Sequence, residues 1–181
     1  MDLELVKKAK QGDVDAIATL ITDNTKSMYR VAFGILKNDE EIYDAISNTT
    51  VIVFEKITTL KKEEYFKSWI IRILINECYK IYNQNKKVIY LENYSEQNLE
   101  YKDNYTNIEI KNLLHGLNED LKEIVSLYYL EEFSVKEIAK ILDIPEGTVK
   151  SRLSRARKEL EKILIKDEKL ERGNLGWKKV N

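Results

Sequence analysis

The sequence predicts an all-α protein: two small helical domains joined by a flexible linker. Three observations carry that expectation. Apolar residues recur at helical spacing through both halves of the chain. The middle keeps no period of any kind. Only one proline and six glycines interrupt 181 residues.

The first half, from Leu3 to about Gln84, reads as successive helices. Asp13 is placed as an N-cap, because its carboxylate can accept from the orphan amides of a helix start. Val14, Ile17, Leu20 and Ile21 follow as an apolar stripe, continued by Met28, Val31, Ala32, Ile35 and Leu36. The polar stretch Lys37-Asn38-Asp39-Glu40 breaks that helix and puts acids where the next one begins. Ile42, Ala45, Ile46, Val53 and Ile57 form the next stripe. A second break, Thr58 to Glu63, precedes a helix from Tyr65 to Tyr82.

The middle holds Tyr90, Tyr94, Tyr101 and Tyr105 among Asn, Glu, Lys and Asp. It reads as a linker. So long a patternless stretch is uncommon inside one compact domain, which argues for two. The second half is helical again. Asn118-Glu119-Asp120 looks like a helix start, followed by Leu121, Ile124, Val125 and Tyr128 at helical spacing. Ser134 and Glu137 make a capping box, in which each side chain can meet the other's backbone amide. Val135, Ile138, Ala139 and Leu142 supply that helix's apolar face. Pro145 suits the first position of another helix, where a missing N–H is harmless. The tail from Lys166 is weakly patterned and expected to fray, with Trp177 as its one packing candidate.

Composition excludes several function classes. Cys78 and His115 are the only residues of their kinds, so a disulfide within the chain and a zinc site of His and Cys ligands are both ruled out. His115, between Leu114 and Gly116, has no nucleophile elbow near it and reads as a helix-end residue. No cofactor, metal or catalytic residue is expected. The first ten residues carry charges of both signs rather than a signal peptide's apolar core. No apolar run approaches the roughly 18 residues of a membrane span. A cytoplasmic, soluble protein is expected.

The formal net charge is only -1, so any nucleic-acid affinity must come from local concentration of charge. It is concentrated after Pro145. From Gly147 to Lys158 there are five basic residues and no acidic one. Advancing about 100° per residue puts Val149, Leu153, Ala156, Leu160 and Ile163 on one stripe. Lys150, Ser151, Ser154, Arg155 and Lys158 lie opposite, with Arg152 and Arg157 on the flanks. One reading is an amphipathic helix with a solvated basic face. The other is a helix in the DNA major groove. There Lys150, Ser151, Ser154 and Arg155 reach base edges while Arg152 and Arg157 hold phosphates. The capped helix before it and the short connection complete a helix-turn-helix layout.

The segment from Leu117 to Leu160, above all Pro145-Glu-Gly-Thr-Val-Lys-Ser-Arg-Leu-Ser-Arg-Ala-Arg157, resembles region 4 of the sigma-70 family. The resemblance implies that this helix reads the promoter's upstream (-35) element. Ile17 to Ile57 is similar to regions 2.1–2.2, which dock on the clamp helices of the polymerase β′ subunit. Tyr29, Asp39, Asp44, Thr49 and Phe54 fall at family landmarks. Asp39, Asp44, Ser47, Asn48 and Thr49 are the implied polymerase contacts, although Ser47-Asn48 stand where many members carry Gln-Glu. Phe66 to Lys80 looks like regions 2.3–2.4, which melt and read the downstream (-10) element. Trp69, Arg72, Asn76 and Lys80 are the implied contacts there. Plain core packing is the competing reading of Trp69. The family's basic end to this helix survives as Lys80, Lys86 and Lys87.

The resemblance places region 2 at residues 1–85, a linker at 86–107, region 4 at 108–165 and a tail at 166–181. It lacks the extra regions of larger sigma factors, which marks the extracytoplasmic-function (ECF) group. Implied partners are core RNA polymerase (β′ clamp helices and β flap), promoter DNA and an anti-sigma factor, which in the family is often membrane-bound. No small-molecule substrate is implied. A stand-alone helix-turn-helix regulator is the alternative, and it leaves the first half without a role. Whether DNA binding requires core polymerase separates the two. A helical enzyme lacks any nucleophile, base or metal constellation.

Overall fold

The computed structural model describes residues 2–89, 113–114 and 116–176, all in helices and turns. Helix α1 (Leu3–Lys10) starts on Asp2, whose carboxylate accepts from the amides of Glu4 and Leu5. Gly12, at φ +92°, takes a left-handed backbone that a side chain would disfavour and turns the chain into the next helix. Helix α2 (Val14–Phe33) is capped as expected, with the Ala16 amide donating to Asp13 at 3.0 Å. Val14 departs from its expected place in the stripe. It is the first helical residue and lies 62% exposed. Helix α3 (Asp39–Lys56) is capped by Asn38, which accepts from Glu41 at 2.8 Å. Two short 3-10 turns lead to α4 (Phe66–Ile89). That helix runs through residues 86–89, the start of the expected linker.

In the second half, α5 (Glu119–Val125) continues into a π turn, Ser126–Leu130. Asn118 makes no side-chain cap. Its carbonyl instead accepts from the amides of Leu121 and Lys122. Helix α6 (Val135–Leu142) carries the expected capping box, with Glu137 and Ser134 bonded both ways. Asp143 ends it in a left-handed conformation at φ 55°. Helix α7 (Glu146–Gly176) extends well into the tail expected to fray. Tyr90, Tyr94, Tyr101, Tyr105, residues 108–112, His115 and Trp177 lie outside the described residues.

The first unit is a four-helix packing of α1 to α4. Met28, Tyr29, Ile42, Phe66, Ile70, Ile71 and Leu74 are fully buried in it. Cys78 lies in the same core, where burial pushes its thiol pKa up and keeps it protonated. The second unit folds the start of α7 against α5 and α6. Leu114, Leu117, Leu121, Val125 and Ala156 form a smaller cluster there.

The two units are packed together. Ile124, Leu127, Phe133, Ile138, Ile141, Val149 and Leu153 of the second join the core of the first. Approach is close: a Cβ on Gly34 would lie 3.0 Å from Ser126 Oγ and 3.4 Å from Glu123 Cα. One charge is buried at this junction. Glu131, 3% exposed, follows the π turn and enters a notch between α2 and α4. Arg30 holds Glu131 Oε1 through Nε at 2.7 Å and Nη2 at 2.6 Å. Ser27 Oγ donates to Oε2, and Lys67 Nζ lies 3.1 Å from that oxygen and 3.0 Å from the Glu131 carbonyl. Taking a carboxylate out of water costs several kcal/mol unless such partners replace the water. Here two cations and a hydroxyl do so. The next residue, Glu132, sits at φ 59°, a left-handed conformation disfavoured for a non-glycine residue by roughly 1–2 kcal/mol.

Glu123 is the second buried acid at the junction, 2% exposed. Tyr79 donates to its Oε2 at 3.0 Å, while its Oε1 is buried without a partner. Burial pushes its pKa from 4.5 up to about 7, against the pull of the Tyr79 hydroxyl and of Arg152. A carboxyl with a raised folded-state pKa favours folding while it is protonated. That stabilisation is complete below pH 4.5 and is lost as pH rises through about 7. The loss amounts to about 3 kcal/mol. Glu123→Gln should therefore flatten the stability-versus-pH curve between these limits and leave the variant the more stable form at pH 8. Urea melts across the range check this.

Candidate nucleic-acid interface

Helix α7 is the best-defined candidate surface. Its first turn is set by Pro145, whose carbonyl accepts from Thr148 at 2.9 Å and Val149 at 3.2 Å. Val149, Leu153 and Ala156 are buried, and Leu160 and Ile163 pack half-buried against the second cluster. The aliphatic stripe read from the sequence is thus the one that anchors the helix. Lys150, Ser151, Ser154, Arg155 and Lys158 are all exposed on the opposite side. Ser151 Oγ is engaged locally, donating to the Thr148 carbonyl at 2.9 Å.

The two flanking arginines differ from each other. Arg157 is exposed, and its Nε donates to the Tyr129 hydroxyl at 2.8 Å. Arg152 is half-buried, its Nε 3.8 Å from Asp120 Oδ2. It therefore leans toward α5, and a phosphate would have to draw it outward. Tyr129, 28 residues from Arg157 in the chain, is a positioning group that the local pattern does not reveal.

Arg72, Asn76 and Lys80 are exposed on α4. With Trp69 they fall within about 80° around that helix, so they form one face. Trp69 is partly packed, in the direction of the core-packing reading. It is half-buried beside Phe66, with ring centroids 6.1 Å apart. Lys80 Nζ pairs with Glu77 at 2.6 Å. The side chains of Lys86 and Lys87 lie outside the described residues.

On α3, Asp44, Ser47 and Asn48 are exposed as a partner surface requires. Two expected contacts depart from that picture. Thr49 is fully buried, with its hydroxyl returned to the Ala45 carbonyl at 2.7 Å, so it offers no polar atom to a partner. Asp39 is half-buried and accepts from the Tyr29 hydroxyl at 2.6 Å. The same helix exposes three large apolar side chains: Tyr43, Val51 and Phe54. With Ser47 they fall within about 80° of one another on the wheel. Tyr43 and Val51 were missed because the core stripe opposite dominates the pattern. The second, shorter apolar arc was the available signal. Together Tyr43, Val51 and Phe54 make an exposed apolar strip on the side of α3 turned away from the core.

Family models match both halves of the chain. Residues 20–88 match Sigma-70 region 2, and residues 107–160 match Sigma-70, region 4. The chain is 28% identical over 166 residues to RNA polymerase sigma factor SigV of Bacillus subtilis, covering 89% of this chain and 98% of that one. It is 27% identical over 176 residues to ECF RNA polymerase sigma factor SigW of the same organism, covering 88% and 94%. Among solved structures it resembles the sigma factor RpoE of Bartonella quintana, crystallised with the anti-sigma factor NepR. The TM-score is 0.72 at 21% identity, covering 83% of this chain and 98% of that one. That likeness is one of fold. No helix among the described residues is long and apolar enough to cross a membrane.

Proposed function

This chain belongs to the sigma-70 family, in its extracytoplasmic-function group, and on that premise we propose how this molecule selects a promoter. Sigma factors are not enzymes; they act with core RNA polymerase on promoter DNA. We assign region 2 to residues 1–85 with the continuation of α4 to Ile89, region 4 to 108–165 and the stretch between them to a linker. The observation that carries the reading is the outward cationic face of α7 opposite its buried Val149–Leu153–Ala156 stripe. Lys150, Ser151, Ser154 and Arg155 read base edges of the -35 element, and Arg157 and Lys158 grip its backbone. Arg152 joins them once it leaves Asp120.

Trp69, Arg72, Asn76 and Lys80 form the -10 face. An aromatic side chain among polar and cationic groups suits unstacked bases and their backbone. The α3 face of Asp44, Ser47, Asn48, Tyr43, Val51 and Phe54 docks on polymerase, with its apolar centre and polar rim. Region 4 takes the β flap. An anti-sigma factor covering these faces is the regulatory partner; the structurally similar RpoE was crystallised in complex with one, NepR. Action is in the cytoplasm.

Run-off transcription with core polymerase on a promoter library tests the whole reading. Defined transcripts should need both proteins. Sequence-specific binding by the chain alone would favour a stand-alone regulator instead. Within the active complex, Arg155→Ala should relax selectivity at a single -35 position by about 1–3 kcal/mol. Lys158→Ala should weaken all sequences alike and lower the salt slope by about one. Binding titrations over a salt series on matched and mismatched DNA separate the two effects. Val51→Asp alters a side chain that is 58% exposed. It should leave the melting temperature nearly unchanged and weaken core polymerase binding by roughly tenfold or more, as measured by fluorescence anisotropy.

A further inference from the structure

We propose that Glu131 is an intramolecular latch: docked in the Ser27–Arg30–Lys67 notch, it holds the chain in a closed form that cannot span a promoter. The contact joins the two reading units directly, since Ser27 and Arg30 belong to α2 and Lys67 opens α4. It is well made. Both carboxylate oxygens are engaged, and Lys67 also binds the Glu131 carbonyl and lies 5.1 Å over the Phe133 ring. The left-handed Glu132 fixes the turn that presents the carboxylate.

Distance then decides the consequence, and this step rests on the promoter reading above. Elements centred near -10 and -35 lie about 85 Å apart at 3.4 Å per base pair. A compact chain of 181 residues has a radius of gyration of about 16 Å, hence a breadth of about 40 Å. The α4 and α7 reading faces are both exposed in the closed form, so closure does not cover them. It holds them too near each other. Polymerase must therefore separate the units, and its apparent affinity falls with the fraction of chains that are open.

The test reads separation without polymerase, so its failure is distinct from failure of the sigma-factor reading. Cysteines replacing exposed Glu55 and Lys162 carry a fluorophore pair on the full chain, while buried Cys78 stays unlabelled. The parent chain should show a high-transfer, closed population. Glu131→Ala and the double variant Arg30→Ala/Lys67→Ala should each shift it to low transfer with helicity by circular dichroism unchanged. Each should raise core polymerase affinity by roughly tenfold. The double variant leaves region 4 untouched, so it decides the matter even if Glu131→Ala misfolds. High transfer retained in the double variant would overturn the latch. So would opening with no gain in polymerase affinity.

Discussion

The amphipathicity of α7 is the constraint on which the rest depends. Val149, Leu153 and Ala156 are buried against the preceding helices. An α-helix cannot bury that stripe without turning the opposite one outward. Lys150, Ser154, Arg155 and Lys158 are therefore presented to solvent by the same packing that stabilises the unit. The capping box at Ser134 and the left-handed Asp143 serve that packing by fixing where α6 starts and stops. The near-neutral chain becomes compatible with DNA binding because five cations and no acid fall between Gly147 and Lys158, a local excess that the net charge of -1 does not show.

A second constraint acts between the units. Charged groups seldom enter a core unless they are paired, and two acids sit at this junction with opposite solutions. Glu131 is compensated by Arg30, Lys67 and Ser27. Glu123 has only Tyr79 on one oxygen and is driven toward its neutral form. The first ties the junction to this docking, because inside it the carboxylate depends on Arg30, Lys67 and Ser27 in place of water. The second makes its stability depend on pH. A junction combining an apolar core with one well-matched ion cluster can be tight yet separable by a partner that binds the open form better.

What was legible in the sequence was local. The caps at Asp13 and Ser134, the α7 stripe and the helix-turn-helix order all follow from patterns within a few residues. The resemblance to the sigma-70 family rested on such motifs, and the family matches agree with it. Thr49 was placed by its position at a family landmark, which says nothing of whether the side chain faces out. Its hydroxyl bonds back to Ala45, so it is buried at little cost. The bond that Tyr29 makes to Asp39 was likewise out of sight, since the two lie ten residues apart in the chain. The Arg30–Glu131 pair spans 101 residues and leaves no periodic trace. Nor does the union of two cores, because each half alone shows a complete amphipathic pattern. The continuation of α7 to Gly176 was missed because its stripe fades after Ile163.

Directed cleavage offers the most direct measurement of where α7 acts. The buried Cys78 leaves an introduced thiol as the reactive one, so Ser154→Cys can carry an iron chelate on the exposed face. With core polymerase on a promoter transcribed by this chain, radical cleavage should centre on one site near -35 and vanish when polymerase is omitted. Cleavage that is absent, spread evenly along the duplex, or unchanged without polymerase would contradict the role given to this helix.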